Sequence, residues 1–151
     1  MRKAFTLVEL LITVAIIAIL SGITAVSYAS VQLRARDAQR KNDLAQVKLA
    51  LSNYFTQGTP TVYPAAAVAV TINNSNDALT TALKPNYIKD MPLDPRNTGN
   101  NVYKYVSQNG PTGSANRSFI LYATLENRED KKGWAGGSAW VVDGYRVTPD
   151  F

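Results

Sequence analysis

Between Lys3 and Arg34 the chain carries one formal charge, the carboxylate of Glu9, and residues 10–33 are uncharged throughout. The stretch from Phe5 to Leu33 reads FTLVELLITVAIIAILSGITAVSYASVQL and consists mostly of Leu, Ile, Val and Ala. A helix of about 20 apolar residues crosses the hydrocarbon core of a bilayer, so this run is long enough to be a single span. Arg2 and Lys3 precede it, matching the cytoplasmic excess of basic residues that leaves the start of a first helix inside. Everything after the run would then lie on the far side of the membrane.

Glu9 does not fit an ordinary anchor. An acid inside a span is costly and usually has a partner. Either Glu9 sits near the cytoplasmic interface, where water reaches it, or a cation brought by a second subunit neutralises it.

The helix is expected to continue past the apolar run. Leu44, Val47, Leu51, Tyr54 and Phe55 recur at helical spacing, while the polar Arg40, Lys41, Asp43, Gln46 and Lys48 largely fall on other faces, the basic ones as a solvated face or a contact with lipid headgroups or a neighbour. No proline occurs in residues 1–59, and Gln57-Gly58-Thr59-Pro60 supplies the stop. One helix from about Phe5 to Phe55 would be roughly 75 Å long at 1.5 Å per residue. Ser27-Tyr28-Ala29 before Ser30 offers a signal-peptidase alternative that would release a secreted domain. Against it, the preceding apolar run exceeds the usual h-region of about 7–15 residues.

Composition narrows the functions open to the remainder. The 151 residues allow one domain beyond the anchor. Cys and His are both absent, which removes disulfides, thiolate metal sites, the usual general base and the commonest transition-metal ligand. The net charge of +5 resides in the leader and in Arg34, Arg36, Arg40, Lys41 and Lys48, whereas residues 56–151 hold nine basic and eight acidic residues. So nearly neutral a globular part argues against a domain built for nucleic acid. With no phosphate loop or nucleophile constellation in the sequence, the reading is of a non-enzyme.

A short basic leader, MRKA, followed by FTLVELLITVAIIAIL, resembles the start of a type IV pilin or a type II secretion pseudopilin. The resemblance implies cleavage by a prepilin peptidase between Ala4 and Phe5 and N-methylation of Phe5. Glu9 would pair with the terminal ammonium of a neighbouring subunit and set axial register. The family normally has Gly before the cut, and Ala4 departs from it. The partners implied are further copies in a helical filament, the peptidase, the membrane, an inner-membrane assembly platform and minor pilins or pseudopilins. Nucleic acid joins them only in a DNA-uptake pilus. The chain would begin as a single-pass inner-membrane protein and end in a periplasmic or cell-surface filament.

The remaining organisation follows from turn and strand signals. Residues 1–4 form the leader, 5–33 the apolar helix, 34–57 its amphipathic continuation and 58–151 a globular part. Within the last, 58–100 reads as an irregular connection, with a short helix over Asp77–Leu83 capped by Ser75 or Asn76. Residues 101–151 read as a β-meander, with strands at Val102–Val106, Phe119–Leu125 and Ala139–Val142 with Tyr145–Val147. The expected fold class is α+β: one long helix packed on a small antiparallel sheet, as in type IV pilins. Tyr54 to Tyr63-Pro64, the loop Tyr87-Ile88 to Pro92-Leu93-Asp94-Pro95, and Tyr103-Lys104-Tyr105 are most similar to the major pseudopilin of type II secretion. There Asp94 is expected to close an Asx turn in a loop that docks on the helix.

No cofactor is expected unless it is calcium, which the resemblance implies near the C-terminal strands. The candidate ligands are Glu129, Asp130, Ser138 and Asp143, with Glu126 nearby. They form no ordered EF-hand loop, and Lys131 and Lys132 among them would oppose a cation. A single-pass anchored or secreted binding domain that builds no filament is the rival reading.

Overall fold

The computed structural model describes residues 5–58, 61–75, 77–109, 115–127 and 144–149, without the side chains of residues 23–27. Two compact units divide the chain, residues 1–35 and 36–151. A single helix, α1, runs Leu7–Gln57, as the proline-free sequence dictates.

In the first unit the described side chains of α1 up to Leu20 are mostly apolar on every side and exposed, Leu7, Leu11, Ile17 and Ile19 among them. A helix hydrophobic on all sides is stable only when something covers it. Among the described residues, no helix is long and apolar enough to cross a membrane. The side chains of residues 23–27 lie outside the description and interrupt the described apolar run before the roughly 20 residues a span needs, so the span expected over 5–33 rests partly on them.

The second unit holds the core. Leu44, Val47 and Leu51 of α1 are fully buried, with Tyr54 and Phe55 packed at the margin, so the expected apolar stripe faces inward. It meets an antiparallel sheet of order β1-β2-β3-β4, with β1 at Val70–Thr71, β2 at Lys104–Gln108, β3 at Ser118–Thr124 and β4 at Gly144–Val147. The register pairs Val70 with Tyr105, Tyr105 with Leu121 and Leu121 with Val147. Strand alternation turns Tyr105, Phe119, Leu121 and Ala123 toward the core, where all four are fully buried.

Three details differ from the sequence reading. Val70–Thr71, in the stretch read as irregular, pairs with β2, because Ile72 N–H donates to Tyr103 O at 2.8 Å and extends the ladder. The short helix, α2, runs Ala78–Leu83 and is capped by Asp77 rather than Ser75 or Asn76. Asp77 wins because its carboxylate accepts from both Thr80 N (2.8 Å) and Thr80 Oγ1 (2.9 Å). The first and second strands also lie offset by one or two residues from their expected ends, while Ala139–Val142 falls outside the described residues.

Candidate processing and assembly site

Thr6-Leu7-Val8-Glu9 places a hydroxyl and a carboxylate three residues apart at the first turn of α1. Thr6 occupies the N-cap and Glu9 the third helical position, the spacing of a capping box. Glu9 Oε2 accepts from Thr6 N at 2.9 Å and from Thr6 Oγ1 at 2.8 Å, and Glu9 N–H donates back to Thr6 Oγ1 at 3.3 Å. The carboxylate also sits at the positive end of the helix dipole. Within one chain, then, Glu9 has a local task that the sequence reading did not weigh: it closes the start of α1. Oε1 takes no part, and among the described residues no cation reaches it. Phe5, directly before the cap, is exposed. Ala4 lies outside the described residues.

A second constellation lies in the globular unit, centred on Arg40. The spacing puts Arg40 and Asp43 on faces other than the apolar stripe, yet Arg40 is 0% exposed and Asp43 is buried. Position 40 lies four before Leu44 and seven before Val47, so it continues the apolar stripe inward. Its guanidinium grips Asp94 through Nε–Oδ2 (2.7 Å) and Nη2–Oδ1 (3.0 Å), a bidentate fork. Nη1 donates to Asp37 Oδ1 at 2.7 Å, and Nη2 lies 2.8 Å from Glu126 Oε1. Arg36 adds Nε–Oε1 (2.8 Å) and Nη2–Oε2 (2.6 Å) to Glu126, and Arg96 lies 3.5 Å from the same carboxylate.

Three guanidiniums therefore meet three carboxylates, and the charges balance. Two of the carboxylates, Asp94 and Asp37, also accept from backbone amides and so locate chain segments. Asp94 Oδ1 accepts from Arg96 N at 2.9 Å, closing the expected Asx turn, so the Asp-Pro loop is docked on α1 through Arg40. Asp37 accepts from two successive amides, Glu126 N at 3.0 Å and Asn127 N at 2.8 Å, and so pins the exit of β3. Next to this cluster, Tyr103 donates its hydroxyl to Asp43 Oδ2 at 2.7 Å, while Tyr105 donates to Pro64 O at 2.7 Å. Burial pushes both phenols up, and for Tyr103 the Asp43 carboxylate adds to it.

These partners fix the protonation of the cluster. The Arg36 hydrogen bonds, opposed by burial and aided by Arg40, pull the Glu126 carboxyl down to about 2. Burial alone would raise Asp94, but Arg40 and the Arg96 and Asn97 amides hold it below the usual range. Both groups bind protons more weakly folded than unfolded, so their stabilisation is complete above about pH 5 and fades as pH falls, for Glu126 toward about 2. Thermal midpoints should therefore drop steeply between those limits, and Glu126→Gln should be less stable at pH 7 with a shallower acid decline. An unchanged slope in that variant would remove Glu126 as the titrating group.

Of the calcium candidates, Glu129, Asp130, Ser138 and Asp143 lie outside the described residues. Glu126 is corrected: both of its oxygens are engaged by guanidinium groups, which leaves it a poor cation ligand. Among the described residues no group of three or more acidic, His or Cys side chains could hold a metal ion.

No curated protein and no solved structure matches the chain. Residues 1–25 match the model of the prokaryotic N-terminal methylation motif, which covers the leader, the exposed Phe5, and the Thr6–Glu9 cap. The N-terminus of this α+β protein thus carries a prokaryotic N-terminal methylation motif, the motif found in type IV pilin-like prepilins.

Proposed function

We propose that the protein is a structural subunit of a type IV pilus-like or type II secretion pseudopilus filament. Its precursor is anchored in the inner membrane by the apolar helix, with the globular unit outside the cytoplasm. A prepilin peptidase cuts between Ala4 and Phe5, and Phe5 is N-methylated. The observation that carries this reading is the combination at one end of α1: a methylation motif followed by a helix whose apolar side chains are exposed on every side. Fully burying one Leu or Ile contributes about 1.5–3 kcal/mol, so many copies packing these helices together gain far more than any polar contact supplies. No catalytic step is involved. The similarity of the Asp94-Pro95 loop to major pseudopilins favours the secretion filament over the pilus.

Glu9 gives direction to that packing. Apolar helices slide past one another at little cost, whereas a carboxylate in apolar surroundings is best satisfied where a cation is presented. The terminal ammonium of Phe5 in a neighbouring copy is such a cation, and pairing with it sets the axial step.

Thr6→Ala and Glu9→Ala separate this role from capping. Both disrupt the capping box, at about 0.5–2 kcal/mol for loss of a Thr cap, but only the second removes the carboxylate. Filament yield in the native membrane should fall far more for Glu9→Ala than for Thr6→Ala, with both chains processed to Phe5 by mass. Equal yields for the two would reduce Glu9 to a helix cap. A mature chain beginning at Ser30 would instead identify a secreted domain and end the filament reading.

A further inference from the structure

Two Asn-x-Ser tripeptides occur in the chain, Asn73-Asn74-Ser75 and Asn116-Arg117-Ser118, and neither has Pro in the middle. Such a tripeptide is an acceptor for an N-linked glycan when it lies in a surface loop of an exported protein. The fold treats the two in opposite ways. Asn116 is half-buried; its backbone carbonyl accepts from Tyr63 N–H at 2.7 Å and its Oδ1 accepts from Ser107 Oγ at 2.9 Å. Ser118 is the first residue of β3, in register with Gln108 of β2. Reaching the Asn116 amide would mean opening the sheet. Asn73 and Ser75, by contrast, are exposed just past the end of β1, an edge strand of the sheet. Asn74 between them is anchored: its Nδ2 donates to Met91 O at 2.8 Å and its Oδ1 accepts from Met91 N–H at 3.0 Å. Its φ of 57° is a left-handed conformation that Asn tolerates. Anchoring the middle residue leaves its two neighbours facing solvent.

We propose that Asn73 is a site of N-linked glycosylation and that Asn116 is not. Within the first tripeptide Asn73 Oδ1 accepts from Ser75 N–H at 3.1 Å and from Ser75 Oγ. The amide and the hydroxyl therefore already converge, where one enzyme pocket can take both. Among the described residues Asn73 Nδ2 makes no hydrogen bond, so the reacting nitrogen is free. The co-substrate is a polyprenyl-diphosphate-linked oligosaccharide, presented by a membrane-bound transferase. Nδ2 attacks C1 of the reducing-end sugar, and the C1–O bond to the diphosphate breaks with its electron pair leaving on the diphosphate. Nδ2 loses one proton to a base of the transferase. The product also answers a feature of the fold. An open edge strand invites pairing with other chains, and a bulky, hydrated glycan two residues beyond Thr71 obstructs that edge.

The inference rests on the proposed export of the globular unit, because such transfer takes place outside the cytoplasm. Intact mass and peptide mapping of the chain from its native membranes test it. The peptide bearing Asn73 should carry a sugar mass and the peptide bearing Asn116 none. Asn73→Gln and Ser75→Ala should each remove that mass entirely, whereas Ser75→Thr and Asn116→Gln should keep it. Ser75→Ala leaves both bonds of Asp77 to Thr80 in place, so its loss of sugar is not a loss of fold, and an unchanged thermal midpoint checks this. A chain beginning at Phe5 with an unmodified Asn73 overturns the inference and leaves the filament reading intact. Loss of the mass in Ser75→Ala but not in Asn73→Gln puts the sugar on the hydroxyl and also overturns it, as does a sugar on Asn116. A glycosylated chain beginning at Ser30 supports the inference while ending the filament reading. An uncut chain with an unmodified Asn73 overturns both.

Discussion

Arg40→Met should destabilise the globular unit by about 3–5 kcal/mol, the usual cost of removing one partner from a buried ion pair. The loss exceeds that of a single contact, because Asp94, Asp37 and Glu126 all direct oxygens at this guanidinium. Without it, Asp94 keeps two backbone donors but loses the guanidinium that balances its charge, and its burial becomes an uncompensated desolvation. Arg40→Lys restores the charge but cannot reproduce the two-pronged grip on Asp94, so it should recover part of the loss and no more. Denaturant titration of the full chain in detergent, followed by circular dichroism, measures both variants. If Arg40→Met costs less than about 1 kcal/mol, the cluster is no more than a surface-type ion pair.

Phe119→Ala should cost a similar amount, about 3–5 kcal/mol, by a different mechanism. Phe119 is fully buried on β3, edge-on to Tyr63 at 4.7 Å between centroids, and Tyr63 in turn stacks on Phe55 of α1 at 4.6 Å. The ring chain thus joins sheet, connection and helix, and truncation leaves a cavity bordered by rigid rings that collapse poorly. Phe119→Leu retains most of the volume and should cost less than half as much. The same denaturant titration distinguishes them. Equal losses for Leu and Ala would show that ring geometry, rather than filled volume, matters at this position.

What the sequence reveals tracks how local the determining physics is. The long helix was legible because apolar spacing and the lack of proline act within a few residues of each other. The strands were legible in kind, but their ends were not: β1 exists only because Val70 and Thr71 meet Tyr105 and Lys104 across more than 30 positions. At the candidate site, Phe5 and Glu9 stood out through an uninterrupted motif. The Thr6–Glu9 cap was equally local and was available from the T-x-x-E spacing. Arg40 was misread because charge was taken to mean solvent. Its place on the Leu44–Val47–Leu51 stripe was the correct signal, and the carboxylates that make its burial tolerable come from distant segments that no periodicity connects.

The placement of those carboxylates has a consequence for the order in which the chain becomes structured. Arg40 belongs to the part of the chain that emerges early, whereas Asp94 and Glu126 follow it by 54 and 86 positions. Until both arrive, Arg40 and Asp37 must stay hydrated, and the helix stripe they extend cannot close against anything. Contacts across such separations form late, because loop closure must precede the gain they bring. The globular unit is therefore held open until β3 has been delivered, and its consolidation coincides with completion of nearly the whole chain.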